Sequence, residues 1–297
     1  MNSLIQLFEN ALSPTPEIGE VARQQILEYQ RQDPVKLIQF STQIILSDQV
    51  PLLSQKYSFV ILCQSFRPTS EMPLNKVKEN FHSLDEPTKN NIRQAFVRGL
   101  LFEQRDIFQQ ASFLVALISV IDSPSNSQQV FNLLNTFLMS GQYQESVHYA
   151  ANLAYREIYN SGHLRDIYES LPQCHELLIQ QAQNFFGFLR NPTNFPVPFI
   201  TEVLLTVKSL ISAAPFFFQQ EPVQNDLISI LGNLFPFITD IEMFRNAFLL
   251  LLELVQNCND NQSLNINKII ELTSNGLSCT IPDFVSISID FWNEVFL

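Results

Sequence analysis

In the carboxy-terminal half of this sequence, apolar runs open at a nearly constant interval. Pro198, Asp240 and Asp283 begin runs 42 and 43 residues apart, and Pro222 and Asn265 open two further helical segments between them, also 43 apart. Helix pairs recurring at about 40–47 residues mark HEAT and armadillo arrays. Each pair in such an array leaves an apolar face that only its neighbours can cover, so the interval constrains the whole chain. It predicts an all-α protein, an α-solenoid in the form of a right-handed superhelix of HEAT-like antiparallel helix pairs. About six or seven pairs fit the length, as one continuous array over residues 1–297.

The strongest single helix is Thr239–Asn257. Thr239 and Glu242 have the spacing of a capping box, in which a hydroxyl and a carboxylate satisfy amides at the helix start. Ile241, Phe244, Phe248, Leu251, Leu252 and Val255 then follow at steps of mostly three and four, the stripe of a core-facing helix. Phe244, Phe248, Leu251 and Val255 are expected in the core. Material for such cores is plentiful, with 46% hydrophobic residues and 26 Phe, whereas 7 Gly are too few for a many-stranded sheet.

Taken in order, the chain reads as helices throughout. Ser3–Leu12 ends at the turn Ser13-Pro-Thr-Pro16, because each proline disfavours helix in the residue before it. Pro16–Gln32 follows with an apolar line of Ile18, Val21, Ala22, Ile26 and Tyr29. Asp33–Pro34 caps Val35–Leu46, and Val50–Phe66, with Leu53, Tyr57, Val60, Ile61 and Leu62, reads as almost wholly buried. Asn75–Leu84, Asp85–Phe102, Asp106–Asp122, Gln128–Met139, Tyr143–Tyr159, Leu164–Leu171 and Pro172–Arg190 complete the irregular part. Ser123–Ser127 forms a loop, and Gly141 and Gly162 stand where helix C-caps are wanted.

The formal charge of −12 and pI near 4.7 argue against direct nucleic-acid binding, which needs clustered cations, and favour basic protein partners. Neither Phe216–Phe218 nor Phe248–Leu252 is long enough for membrane insertion, and Met1–Leu12 lacks a basic start, so an intracellular protein is expected. Cys63, Cys174, Cys258 and Cys279 form no CxxC pair and read as buried free thiols. His82, His148, His163 and His175 read as surface or loop residues with no metal spacing. Cys174 and His175 point apart at a helix start. Gly232 stands alone, so there is no phosphate loop, and no GxSxG occurs. No enzyme activity, cofactor or metal is expected.

Several segments resemble one family. Glu20-Val-Ala-Arg-Gln-Gln-Ile-Leu27, Lys56-Tyr-Ser-Phe-Val-Ile-Leu-Cys-Gln-Ser-Phe66 and Leu84-Asp-Glu-Pro-Thr-Lys-Asn-Asn-Ile-Arg93 resemble, in order, the amino-terminal repeats of the β-karyopherins, the importin and exportin transport receptors. On this likeness residues 1–110 are importin-β-like and 111–297 exportin-like. Met243-Phe-Arg-Asn246 is similar to a stretch of the exportin branch, and Ile287-Ser-Ile-Asp-Phe-Trp-Asn293 to an aromatic pair closing a helix in several branches. Pro51 at a helix start and the polar Gln24 and Gln25 depart from the family pattern. Such receptors continue for many more repeats, so the end at Phe296-Leu297 is expected to reflect a fragment, a truncated paralogue or a covering partner.

The resemblance implies a nuclear transport receptor that binds the GTP form of the small GTPase Ran, protein cargo and the Phe-Gly repeats of pore proteins, in cytoplasm, nucleus and nuclear pore. It implies a concave face built from second helices. Glu17, Glu20, Arg23, Gln24, Gln55, Lys56, Gln109 and Gln110 are the candidate strip for the GTPase. Curvature accumulated over many small rotations would couple one partner to another. Phe186-Gly187 lies in a helix and is not itself such a repeat. At the far end, Phe284, Ile287, Phe291 and Val295 should face the preceding helix and leave Trp292, Phe296 and Leu297 exposed, an interface or association surface. The rival reading is a HEAT scaffold for protein complexes with no GTPase dependence.

Overall fold

The structure, a computed structural model, describes residues 2–70, 72–122, 127–139, 144–160, 174–258, 266–277 and 281–296, and these contain no strand. The expected helix Leu164–Leu171, the caps Gly141 and Gly162, most of the Ser123–Ser127 loop, and His163 and Cys279 lie outside the described residues, as do the side chains of Cys174, His175 and Cys258. The fold is an all-α solenoid of HEAT-like antiparallel pairs. Its residues form two compact units, Met1–Val130 and Phe131–Leu297. Residues 110 and 111, where the resemblance changes branch, are consecutive positions of one helix.

The first unit contains α1 (Asn2–Ala11), α2 (Pro16–Gln32), α3 (Pro34–Leu46), α4 (Leu52–Phe66), α5 (Leu74–His82), α6 (Glu86–Leu100) and α7 (Arg105–Ile121). Asp33 and Asp85 cap α3 and α6 by accepting from the amides of Lys36 at 3.1 Å and Thr88 at 2.8 Å. In each case a proline in the first turn has no amide to satisfy and a φ already suited to helix. Helices α1 and α2, α3 and α4, and α6 and α7 pair; α6 then lies on α3 and α7 on α4. Phe59, Phe66, Phe81, Phe96 and Phe102 join these rows through edge-to-face contacts with centroids 5.8–6.3 Å apart. A Cβ on Gly99 of α6 would come within 2.5 Å of the Phe59 ring and 2.9 Å of Ala111, so the close approach of three helices requires a glycine there.

Two apolar lines of this unit differ from expectation. On α2, Ile18 and Val21 are 47% and 59% exposed, while Gly19, Ala22 and Ile26 are buried. Gly19 and Ala22 bring α2 close to its neighbours α1 and α3, Ile26 packs inward with them, and Ile18 and Val21 are left on the outer surface. On α4, Leu53 is 59% exposed and Val60 half-buried, so that helix is not wholly enclosed.

The second unit contains most of α8 (Ser127–Leu138), then α9 (Glu145–Asn160), α10 (Cys174–Arg190), α11 (Val197–Ala213), the single turn α12 (Pro215–Phe218), α13 (Glu221–Leu234), α14 (Ile241–Cys258), α15 (Ile266–Leu277) and α16 (Pro282–Phe296). Helices α9, α11, α14 and α16 stack successively in one row and α10, α13 and α15 in another. Alternate helices therefore share a row, which is the arrangement that the 42–43-residue interval requires. Phe244, Phe248, Leu251 and Val255 are all buried. The start of α14 differs in detail: Asp240, not Thr239, is the cap, its Oδ1 accepting from the Met243 amide at 2.9 Å. A carboxylate one residue nearer the helix out-competes the hydroxyl, since it also complements the positive end of the macrodipole.

His148 is not a surface or loop residue. It is buried in α9, with its ring edge-on to Phe188 and Phe199, and its Nδ1 lies 3.1 Å from the Gln144 amide. Among the described residues no group of His, Cys, Asp and Glu is arranged to hold a metal ion. No described helix is long and apolar enough to cross a membrane. Cys63 is free and buried, and that burial pushes its thiol well above its ordinary value.

Candidate partner-binding surfaces

Four members of the expected strip lie together on α2. Glu17, Glu20, Arg23 and Gln24 are exposed, and three of them are linked. Arg23 Nη2 meets Glu20 Oε2 at 3.1 Å, Gln24 Nε2 donates to Glu20 Oε1 at 3.1 Å, and Arg23 Nη1 donates to the Ala11 carbonyl at 3.1 Å. Gln24 and then Arg23 hold the Glu20 carboxyl below its ordinary value by stabilising the charged form. Across from α2, the Tyr57 ring of α4 stands edge-on to Phe8 at 5.7 Å. Burial raises its hydroxyl's pKa and the nearby charge of Arg23 opposes the rise.

Gln55 does not belong to the exposed strip. It is buried, and its Nε2 donates to the carbonyls of Ser47 at 2.8 Å and Val50 at 2.9 Å. A carboxamide reaching back over a helix start satisfies carbonyls of the preceding turn that water cannot reach, a structural use that sequence spacing does not reveal. Its neighbour Lys56 is half-buried. Gln109 and Gln110 are exposed on α7 and face the other end of α4, where they line a groove of about 390 Å³ with Cys63, Arg67, Asp106, Phe113 and Leu114. The structure thus resolves the strip into an α2 group and an α4–α7 groove.

In the second unit, Phe284, Ser288 and Phe291 form the buried line of α16, while Ile287 and Val295 are half-buried. Trp292 is also half-buried, with its ring edge-on to Phe291 at 5.2 Å. The side chains of Phe296 and Leu297 lie outside the described residues. Sequence reasoning missed a groove of about 190 Å³ between α14 and α16, with Phe248, Leu249, Leu252, Ile287 and Phe291 below and Arg245, Asp290 and Glu294 on its rim. Its signal was present in Phe248–Leu252, a run with more apolar surface than one face can bury.

Charge is divided unevenly between the units. Residues 1–130 carry 11 basic and 13 acidic side chains and residues 131–297 carry 6 and 16, so −10 of the total −12 belongs to the second unit. The second unit therefore carries the stronger negative field.

No family model and no curated protein matches this sequence. Solved structures do. Over 99% of its length the chain superposes on Kap95p from a structure describing its effect on the switch loops of RanGDP, with TM-score 0.74 and 17% identity. Similar values hold for yeast importin-β (Kap95p), with TM-score 0.73, 16% identity and 99% of this chain covered, and for the Kap95:Nup1 complex, with TM-score 0.73, 16% identity and the same coverage. The chain has the fold of importin-β. It spans 33–34% of the length of these importin-β chains. The likeness is one of fold; the two sequences differ at most positions.

Proposed function

We propose that this chain is a binding solenoid of the nuclear transport receptor kind, recognising GTP-bound Ran through the first unit and a basic protein cargo through the second. The observation that supports this reading most is its likeness to Kap95p over nearly the whole chain, a protein whose structures involve Ran and Nup1. Glu17, Glu20, Arg23, Gln24 and Lys56, with Gln109 and Gln110 in the α4–α7 groove, are the proposed GTPase contacts. A nearly charge-balanced surface of this kind suits a partner that presents both signs. The acidic second unit, through Asp290 and Glu294 beside an apolar floor, is the proposed place for cargo. Phe-Gly repeats of pore proteins are further proposed ligands, and passage between cytoplasm and nucleus through the pore is the proposed setting.

Immobilised Ran loaded with GTP or GDP tests the reading. The chain should be retained by the GTP form at least tenfold more strongly, which corresponds to about 1.4 kcal/mol. Glu20→Lys combined with Arg23→Glu should weaken this retention by a similar factor. Equal retention by both nucleotide forms, or none by either, would instead support a scaffold without GTPase dependence. Separately, a lysine-rich peptide should bind the wild-type chain with strong salt dependence, and Asp290→Lys with Glu294→Lys should reduce its affinity about tenfold. Unchanged peptide affinity in that variant would remove the α14–α16 groove from the proposal.

A further inference from the structure

We propose that the turn joining α1 to α2 is a phosphorylation site for a proline-directed Ser/Thr protein kinase, with Ser13 and Thr15 as acceptors and Arg23 as the receiver of the phosphate. Residues 13–16 read Ser-Pro-Thr-Pro, so two hydroxyls in one turn each directly precede a proline. A residue before proline is held extended, the conformation in which a kinase cleft takes its substrate. Thr15 already has it, at φ −81° and ψ 111°, and is exposed. Although Thr15 occupies the cap position of α2, its hydroxyl makes no capping bond. Ser13 is half-exposed, and its Oγ accepts from the Thr15 amide at 3.2 Å.

Arg23 supplies the second, independent observation. Its guanidinium folds back along α2 toward this turn and donates to the Ala11 carbonyl, a path left open by the missing side chain of Gly19. A Cβ on Gly19 would lie 3.1 Å from Arg23 Nη1 and 3.4 Å from the Ser13 carbonyl oxygen, so guanidinium and turn meet over the same glycine. The Arg23 side chain is 45% exposed and tied to a single-charged carboxylate, so it is free to exchange partners.

In the transfer, a hydroxyl oxygen attacks the γ-phosphorus of ATP, the bond to the ADP leaving group breaks, and the hydroxyl proton passes to the kinase's base. The product phosphate carries nearly two negative charges and three acceptor oxygens, and it out-competes Glu20 for the guanidinium. Phosphorylation thereby opens the Arg23–Glu20 pair and makes the surface around the turn more negative. This inference does not rest on the GTPase reading, although it engages two of the same side chains, Glu20 and Arg23.

The full chain, incubated with ATP and a proline-directed kinase, should gain up to two phosphoryl groups in this turn by intact mass and peptide mapping. Ser13→Ala and Thr15→Ala should each remove one. Phosphorus NMR against pH should show the second phosphate ionisation below its usual value of about 6, because a neighbouring cation favours the dianion. Arg23→Gln should return it to about 6, Arg23→Lys should keep it low, and circular dichroism should show both variants folded. Phosphate found only at Ser123, the other Ser-Pro position, overturns the site. A phosphate ionisation identical in wild type and Arg23→Gln overturns the role of Arg23.

Discussion

Replacing Phe248 with alanine is expected to destabilise the second unit by about 3–5 kcal/mol, the range for removing a fully buried phenylalanine. Phe248 is 2% exposed and touches three other rings, with centroids 4.7 Å away for Phe244, 5.5 Å for Phe235 and 5.5 Å for Phe291. Phe244 in turn stacks on Phe284 at 4.1 Å with planes 6° apart. These rings come from α14, from the short turn before it and from α16, so the truncation removes contacts between repeats as well as within one. Relaxation refills the space only in part, because three of the neighbours around it are themselves rigid rings. Trp292 is the one tryptophan of the chain and rests on Phe291, so its fluorescence reports on this cluster. In a urea titration the Trp292 transition should move to lower denaturant; a loss below about 1 kcal/mol would mean that the site collapses freely or faces water.

Asp122→Ala should cost a similar amount in the first unit, about 3–5 kcal/mol, for an electrostatic reason. The Asp122 carboxylate lies at the C-terminal end of α7, where the helix dipole disfavours an anion. It is held there by Arg93 of α6, whose Nε donates to Oδ2 at 2.6 Å and Nη2 to Oδ1 at 3.0 Å. Both side chains are largely buried, 15% and 8% exposed, and the guanidinium also lies over the Phe81 ring at 5.8 Å. Removing the carboxylate leaves the largely buried cation to Asn90 and to the exposed Glu86 at 3.6 Å, which replace its two short bonds poorly. Arg93→Met with Asp122→Leu should therefore be within about 1 kcal/mol of wild type, since it removes both charges and keeps the volume. Thermal unfolding followed by circular dichroism checks both variants. Equal losses in the single and double variants would show that packing, not the poorly paired charge, sets the cost.

Much of the architecture is legible in the sequence. Helix starts at Asp33, Asp85 and the 42–43-residue series are local signals, since a carboxylate before a proline, or a proline in a first turn, acts on the few amides beside it. The core positions of α14 were equally legible, because a helix with neighbours on several sides must bury most of its circumference. Elsewhere the pattern misled: Ile18 and Val21 sit on the outside of α2 although they fit an apolar line, and Leu53, in the first turn of α4, is likewise exposed.

The candidate surfaces depended more on tertiary structure. The sequence by itself determined that α2 would display acids, an arginine and glutamines at helical spacing, and that the chain as a whole would be acidic. It also determined the all-helical repeat, because the apolar interval is a property of the chain alone. Only the tertiary structure decided that Gln55 turns inward to the carbonyls of Ser47 and Val50, while Gln109 and Gln110 line a groove with the far end of α4. Gln55 finds its carbonyls five and eight residues back, once the turn before α4 has folded over its helix start. Gln109 and Gln110 have their surroundings set by the packing of α7 on α4, a contact between residues distant in the chain that helical spacing alone does not specify.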